Sequence, residues 1–172
     1  NIIGNSIDGN YGGRYVFRHN YVKNSSCEAH AVQGNNRAIR TWEIYDNRFE
    51  GGSVYSWAAL FVRGGTGVIF NNVVVGYRTP MALNNVRDTQ AGDVCGLCDG
   101  TSIWDDNTPG EAGWACRDQI GRGKDPMLWA PGQPYLQMSD PAYIWNNVDG
   151  SGNVITPYNH NPSVPSHIQV NR

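Results

Sequence analysis

The chain repeats one seven-residue motif three times, as VFRHNYV at 16–22, EIYDNRF at 43–49 and VIFNNVV at 68–74. Each copy has an asparagine at its fifth position, called here the central asparagine, with one apolar residue three positions before it and another two positions after it. The central asparagines are Asn20, Asn47 and Asn72, and they are separated by 27 and 25 residues. A recurrence near 25 residues, in short β-rich runs without helical spacing, is typical of a solenoid whose coils stack around a shared core.

Two later stretches resemble parts of this motif. MALNNV at 81–86 looks like the first strand of another coil. YIWNNV at 143–148 repeats the motif around Asn147, although Asp149 stands in the usual apolar place. We therefore predict that residues 88–140 form a long insertion between two strands of one coil, within a single domain over 1–172. Insertions of this length are commonly functional or organised by disulfides.

The central asparagines have a structural explanation. At each bend between parallel strands one residue must often adopt a left-handed conformation, which Asn tolerates better than most residues. Stacked coils then repeat the side-chain amide every ~4.8 Å, so that each amide can bond to the backbone or to the next amide. We predict a scaffold role, not a chemical one, for the column Asn20, Asn47, Asn72 and Asn147. Asn5 has apolar neighbours at the same offsets, which predicts an incomplete first coil over 1–13.

The composition is that of a turn-rich β protein. The chain has 172 residues, with 21 Gly and a Trp plus Tyr total of 15, and it is long enough for one domain with a core. It contains neither a signal peptide nor a transmembrane run, and it opens inside a motif-like stretch, so we interpret it as a piece of a longer or processed chain.

The charge distribution is asymmetric although the net charge is −2. Residues 1–90 hold nine basic against six acidic residues, whereas 91–172 hold four against nine. The acidic part can dock on the basic part, the surface charges can simply be solvated, or the basic part can present a face to an acidic polymer. The lack of a dense Lys/Arg cluster argues against nucleic acid as a partner.

Four cysteines are present, and four allow three full pairings. The CGLC stretch at 95–98 lacks the second Cys/His pair of a zinc site and the βαβ context of a redox site, so structural disulfides are favoured. We predict a bridge from Cys98 to Cys116 that closes the Gly- and Asp-rich insertion, and a second from Cys27 to Cys95. Such bridges persist in oxidising compartments, which indicates an extracellular, cell-surface or periplasmic location.

The insertion carries the residues of a resemblance. CDGTSIWDDN at 98–107 and GWACRDQIGRG at 113–123 resemble a signature of secreted bacterial proteins with a right-handed parallel β-helix. The departures are Asp106 where the family has Gly, and Trp114 and Ala115 where it has Tyr and Pro. The resemblance, which also touches RGGTG, YIWNN and HIQ elsewhere, implies an all-β right-handed parallel β-helix and export. This superfamily includes polysaccharide lyases, glycoside hydrolases, adhesins and phage tailspikes, and a shared fold does not choose among them.

Three sets of residues are candidates for chemistry. A calcium site would use carboxylates of the insertion, although Asp/Asn/Gly clusters are also ordinary turn chemistry; its candidates are Asp99, Asp105, Asp106 and Asp118. We otherwise expect no cofactor.

Stacked coils would place His19 beside Asp46, as an acid/base pair or as part of a polar ladder. Aromatic residues could stack on sugars if exposed, or pack in the core; they are Tyr55, Trp57, Tyr77, Trp104, Trp114 and Trp129.

A ligand-binding cleft is expected where the insertion folds back along the loops of earlier coils. It would combine basic residues of the scaffold with basic and aromatic residues of the insertion, namely Arg63, Arg87, Trp104, Arg117 and Arg122. These arginines could instead tie the insertion to the scaffold through its aspartates. The sequence thus predicts an exported protein that binds a polysaccharide or cell-surface glycan, or cleaves it as a lyase or hydrolase. The alternative is a structural or adhesive protein that self-associates through open β-helix ends.

Overall fold

The computed structural model of the protein describes residues 4–30, 38–52, 58–84, 120–124, 138–159 and 168–171. Within these ranges the chain forms strands and turns and no helix, and therefore none that is long and apolar enough to cross a membrane. In chain order the strands are β1 (Asn5–Gly9), β2 (Arg14–Arg18), β3 (Tyr21–Lys23), β4 (Ser26–Ala29), β5 (Thr41–Tyr45), β6 (Arg48–Glu50), β7 (Ala58–Val62), β8 (Thr66–Phe70), β9 (Val73–Val75), β10 (Thr79–Leu83), β11 (Arg122–Lys124), β12 (Met138–Ser139), β13 (Ala142–Trp145), β14 (Val148–Asp149), β15 (Tyr158–Asn159) and β16 (Ile168–Val170).

Fourteen of these strands form three parallel sheets. Sheet A has the order β1-β4-β7-β10-β15, sheet B has β2-β5-β8-β13-β16, and sheet C has β3-β6-β9-β14. Each of the first four turns of the chain therefore adds one strand to every sheet, and every pairing between turns is parallel. This confirms an all-β parallel solenoid. Its right-handedness stays a prediction, although crossovers between parallel strands of one sheet are almost always right-handed.

The core lies between the three sheets and is built from the apolar positions of the repeat motif. Ile44 and Ile69, three before the central asparagine, are fully buried and face each other across β5 and β8. Phe49 and Val74, two after it, form an inward column on sheet C. Each such side chain contributes about 1.5–3 kcal/mol by its burial, so the motif marks the positions that hold neighbouring coils together.

The predicted asparagine column is present and forms a continuous hydrogen-bonded ladder. The backbone N–H and side-chain Nδ2 of Asn20 both donate to Oδ1 of Asn47, at 3.0 Å each. Asn47 donates in the same way to Asn72, and Asn72 to Asn147, with distances of 2.8–3.1 Å. Asn47, Asn72 and Asn147 are buried, so the ladder satisfies polar groups that burial would otherwise leave without partners.

The left-handed residue at this bend is not the one that the sequence predicted. Positive φ angles of 50–55° belong to the residue before each central asparagine, which is His19, Asp46, Asn71 or Asn146. The central asparagine directs its amide along the stack, whereas the residue before it turns the chain and points outward. His, Asp and Asn are the residues enriched at positive φ, which explains why this position is variable but never β-branched.

The prediction for Asn5 was wrong. Asn5 lies in β1, opposite Ser26 of β4, and so belongs to sheet A and not to the asparagine column. β1, β2 and β3 together form the first coil, because they pair with β4, β5 and β6 of the next coil. Each of the first four coils thus has three strands, and the repeat motif covers only the two in sheets B and C.

The long insertion leaves the solenoid after β10 and rejoins it at β13. β10 pairs with β7, and β13 pairs with β8, so both strands belong to the coil after β7–β9. The described part of the insertion includes the antiparallel pair β11–β12. Gly121 N–H donates to the Gly65 carbonyl at 3.0 Å, and Ile120 is fully buried. This segment therefore packs against the loop that contains Gly65, as the sequence predicted.

The predicted bridge from Cys27 to Cys95 is not formed, because Cys27 is a free thiol. Cys27 occupies an inward position of β4, between Ile7 and Leu60, and is fully buried. Its Sγ lies 3.6 Å from the hydroxyl of Tyr15. An inward core position keeps the sulfur away from the surface loops, which is why it packs as a small apolar residue. Cys95, Cys98 and Cys116 lie outside the described residues, so the bridge from Cys98 to Cys116 stays a prediction.

Candidate functional site

The loops that join sheet A to sheet B all leave from one edge of the solenoid. They include 10–13 in the first coil, 63–65 in the third, and the long insertion that follows Leu83. His30 and Arg63 come directly after β4 and β7 at this edge. Loops on a rigid scaffold carry binding and catalytic residues more often than the scaffold itself. This edge is therefore a candidate location for a functional site.

Four side chains of different coils meet there, on the outer face of sheet A. Asp8 and Glu28 stand opposite each other on β1 and β4. Arg63 Nη2 lies 2.7 Å from Glu28 Oε1, and His30 Nε2 lies 3.6 Å from the same oxygen. Asn5 Nδ2 donates to the other oxygen of Glu28 at 2.9 Å. We call Asp8, Glu28, His30 and Arg63 the charged cluster.

Glu28 is unusual because it faces outward and is nevertheless only 7% exposed. Burial raises the pKa of Glu28 above its usual range, although the positive charge of Arg63 opposes this shift. Burial also lowers the pKa of His30, and the charge of Arg63 lowers it further. The Glu28–Arg63 pair is thus largely removed from water, so that either partner alone would leave an uncompensated charge.

The charged cluster has the composition of a cation site. One ligand atom from each of Asp8, Glu28 and His30 can be chosen so that all three lie within 4.8 Å of one another. Proton transfer from Glu28 to a ligand is less well supported, because both of its oxygens already face donors from Asn5 and Arg63.

Two of the five residues of the predicted ligand cleft, Arg63 and Arg122, lie within the described part of the chain. Arg63 pairs with Glu28 of the neighbouring coil and lies 5.2 Å from the Phe61 ring centroid, and these two partners belong to the scaffold. Arg122 lies in β11, but its side chain is outside the described part. Wholly outside the described residues are Arg87, Trp104 and Arg117 of the cleft, Asp99, Asp105, Asp106 and Asp118 of the calcium hypothesis, and the aromatics Tyr55, Trp57, Trp114 and Trp129. Tyr77 is buried, and its hydroxyl donates to the Ser25 carbonyl at 2.5 Å.

A second surface stands out on the outer face of sheet B. There a groove of about 550 Å³ crosses the first three coils. The side chains that line it include Arg14, Val16, Thr41, Glu43 and Val68; we call these the groove residues. Val16, Glu43, Val68 and Tyr143 form one column across four coils. Val16 and Tyr143 are 53% and 48% exposed, so the column presents apolar surface to solvent.

The neighbouring column on sheet B is an aromatic ladder of Tyr45, Phe70 and Trp145. The ring centroids are 4.7 and 4.6 Å apart, with interplanar angles of 7° and 3°. Both faces of Phe70 are therefore covered, and the guanidinium of Arg18 lies over Tyr45 from the preceding coil, 5.9 Å from its centroid. Sugar stacking needs an open ring face, so Tyr45 and Phe70 stabilise the stack of coils and do not form a binding platform.

The predicted neighbourhood of His19 and Asp46 is present at the bend between sheets B and C. His19 Nδ1 lies 4.0 Å from Asp46 Oδ2, and both side chains are exposed. The next two coils continue the same column with a hydrogen bond of 2.6 Å from Asn146 Nδ2 to Asn71 Oδ1. A pair that simply continues a polar ladder has the features expected of a surface contact, not of an acid/base centre.

Sequence reasoning missed Asp8, Glu28 and His30, as well as Glu43 of the groove. The motif determines which residues of sheets B and C face the core. It does not extend to β1 and β4, so it does not show which residues of sheet A face inward. Aligning Ile7 with Cys27 as inward residues would have placed Asp8 beside Glu28. Comparison of the chain with protein families, with curated proteins and with solved structures finds no match.

Proposed function

We propose that the protein binds an extracellular polysaccharide along the outer face of sheet B. The observation that carries this proposal is the groove of about 550 Å³ that crosses three coils. A volume of this size lies within the range of known ligand sites. A groove that runs across the strands of a solenoid continues from coil to coil, which suits a polymer better than a compact metabolite.

The groove residues match the two chemical faces of a sugar. The aliphatic side chains of Val16 and Val68 can contact the C–H groups of a pyranose ring. Glu43 is exposed between them in the same column, and its carboxylate can accept two hydroxyl hydrogen bonds at once. Arg14 and Thr41 supply donors at the side. Few polar groups above an apolar floor are the usual composition of a small-ligand site.

The floor of the groove is held rigidly from the inside. Trp42 and Ile44 are fully buried on either side of Glu43, and Trp42 Nε1 donates to the Gly64 carbonyl at 3.0 Å. The β5 backbone pairs with both β2 and β8. A preorganised surface loses little conformational entropy on binding, so a modest contact area can still give measurable affinity.

Binding to a panel of neutral and acidic polysaccharides, followed by calorimetry with oligosaccharides, tests the proposal. We expect Glu43→Ala to weaken binding about tenfold or more and Tyr143→Ala to weaken it less, because Tyr143 only extends the floor. Tyr21→Ala is the matched control, since Tyr21 is 59% exposed but lies on sheet C. Equal losses in Tyr143→Ala and Tyr21→Ala, or unchanged binding in Glu43→Ala, would reject the groove as the site.

A structural or adhesive role is the second candidate, and one observation favours it. β1, β2 and β3 are the outermost strands of their sheets among the described residues. Ile7, Tyr15 and Phe17 of these strands face the core but are only partly buried. The backbone groups of an outermost strand can pair with another chain. Light scattering and electron microscopy across a concentration series test this: concentration-dependent filaments favour assembly, and a stable monomer removes its support.

A further inference from the structure

We propose that the charged cluster binds one divalent transition-metal ion through Asp8, Glu28 and His30. The three residues come from two coils, yet one ligand atom of each lies within 4.8 Å of the other two. Metal–ligand distances of about 2.0–2.2 Å require ligand atoms no more than about 4.4 Å apart, so small side-chain shifts bring the three atoms around a common ion. The site is separate from the groove, because it lies on sheet A and the groove lies on sheet B.

The donor set selects the class of metal. One imidazole nitrogen and two carboxylate oxygens suit zinc or manganese, whereas calcium and magnesium prefer oxygen ligands alone. Three protein ligands also leave a coordination position open, as in sites where the metal holds water or a substrate. The location at the edge from which the sheet A to sheet B loops leave would make that position accessible to a ligand.

The surroundings of Glu28 are those of a supported ligand. Ligating carboxylates are commonly held by further hydrogen bonds, and Asn5 donates to one oxygen of Glu28 while Arg63 faces the other. A carboxylate offers about four lone-pair sites, so these contacts leave room for a metal. The negative charges of the two carboxylates exceed the single positive charge of Arg63, so the cluster keeps a net attraction for a cation.

His30 supplies a second and independent observation. Its Nδ1 is buried and has no hydrogen-bond partner in the described part of the chain. Its Nε2 lies 3.6 Å from Glu28 Oε1, which is beyond hydrogen-bond length. A buried polar atom without a partner needs an explanation, and a bound ion is one of the recognised explanations.

The backbone holds the ligands in place without the metal. His30 N–H donates to the Gly9 carbonyl at 2.7 Å, which fixes His30 beside the strand that carries Asp8. Arg63 N–H donates to the Ala29 carbonyl at 2.7 Å and fixes the third coil in the same way. Because the ligating residues are already held in place, less conformational entropy is lost when the ion binds.

Calorimetric titration of the metal-free protein with zinc chloride, repeated with manganese chloride, tests the proposal. We expect one equivalent of zinc per chain, and an affinity at least tenfold lower in His30→Ala and in Asp8→Asn. Asp8 is exposed, so Asp8→Asn should keep the fold, which circular dichroism will verify. Glu28→Gln is a weaker test because Glu28 also pairs with Arg63.

His19→Ala is the matched control, since His19 also faces a carboxylate but lies at the other bend. One-equivalent binding that persists in His19→Ala and is lost in both His30→Ala and Asp8→Asn supports the site. The proposal is overturned if the wild-type protein shows no saturable uptake of either metal. It is equally overturned if uptake survives in both His30→Ala and Asp8→Asn, because other groups would then hold the ion.

Discussion

Asn72 donates both its backbone N–H and its side-chain Nδ2 to Oδ1 of Asn147, although 75 residues separate the two in sequence. Asn47 makes the same two contacts to Asn72 from the other side. The insertion therefore leaves the geometry of the ladder unchanged where the solenoid resumes. The scaffold tolerates a long excursion because pairing in sheets B and C re-establishes the register after it.

The first prediction concerns this ladder. Asn72 is fully buried, and its Nδ2 also faces the carbonyls of Ile44 and Phe70. Asn72→Ala would leave several buried donors and acceptors without partners, each at about 1–3 kcal/mol. We expect the free energy of unfolding to fall by about 3 kcal/mol or more in urea denaturation. Asn71→Gly is the control, because Asn71 is exposed with φ of 55°; a similar loss there would contradict the ladder as the cause.

The second prediction concerns Glu28 and Arg63. Removing one partner of a buried ion pair costs about 3–5 kcal/mol, because the other charge stays buried. Arg63→Met should therefore lower the melting temperature strongly, and the double variant Glu28→Gln with Arg63→Met should recover much of the loss. Thermal denaturation of the four proteins gives the coupling energy. Additive losses would mean that the two side chains act independently.

The fold was predictable where the sequence repeats itself, and unpredictable where it does not. Ile44 and Ile69 recur at a fixed offset from the asparagine, so the stacking of sheets B and C follows from the motif. The third strand of each coil has no shared sequence, because β4 and β7 need only small or apolar inward residues such as Cys27 and Leu60. Because no motif marks this strand, Asn5 was matched to the asparagine motif, although it lies in sheet A.

The candidate sites depended on information that the motif does not contain. Glu28 and Arg63 are brought together by the register of sheet A, and Asp8 joins them only because Ile7 takes the inward place on β1. The Trp and Arg residues of the insertion were predicted to contact a ligand because their side chains are large or charged. The pairing of Arg63 with Glu28, however, is set by the neighbouring coil. Outward residues carry no periodic requirement, so their partners are decided by register alone.

The third prediction concerns the Cys27 thiol. Burial raises the pKa of Cys27 from 9.0 to about 12. Because the folded pKa lies above the unfolded value, the contribution of this group is complete below pH 9 and is lost as pH rises toward 12. We expect stability to fall by up to about 1.4 kcal/mol per pH unit in that window from this residue. In Cys27→Ala the free energy of unfolding should fall less steeply with pH in this window than in the wild-type protein. An identical slope would contradict the assignment of this alkaline loss to Cys27.

The fourth prediction concerns Gly67, beneath the groove. Its φ is 149°, and a Cβ there would stand 1.8 Å from the Trp42 carbonyl oxygen and 2.8 Å from the carbonyl carbon. The obstructing atoms belong to the paired backbone of β5 and cannot move aside cheaply. Gly67→Ala should therefore separate β5 from β8 and destabilise the protein by several kcal/mol, as measured by denaturant unfolding. Gly152→Ala is the control, since Gly152 also has a positive φ of 84° but open space around it. Its cost should be limited to backbone strain of about 1 kcal/mol.

The last prediction separates the aromatic ladder from the glycan-binding groove. Phe70 stacks between Tyr45 and Trp145, and such contacts are worth about 0.5–1.5 kcal/mol each beyond the area they bury. Phe70→Ala should therefore lower the free energy of unfolding by about 2–4 kcal/mol. Below the melting transition it should leave the affinity for oligosaccharides unchanged, because both ring faces are already covered and the groove lies in the adjacent column. Phe70→Leu, which keeps more apolar volume than Ala but loses the stack, should recover part of the stability. Glycan affinity that falls in Phe70→Ala while the circular dichroism spectrum stays native would show that the ladder itself contacts the ligand.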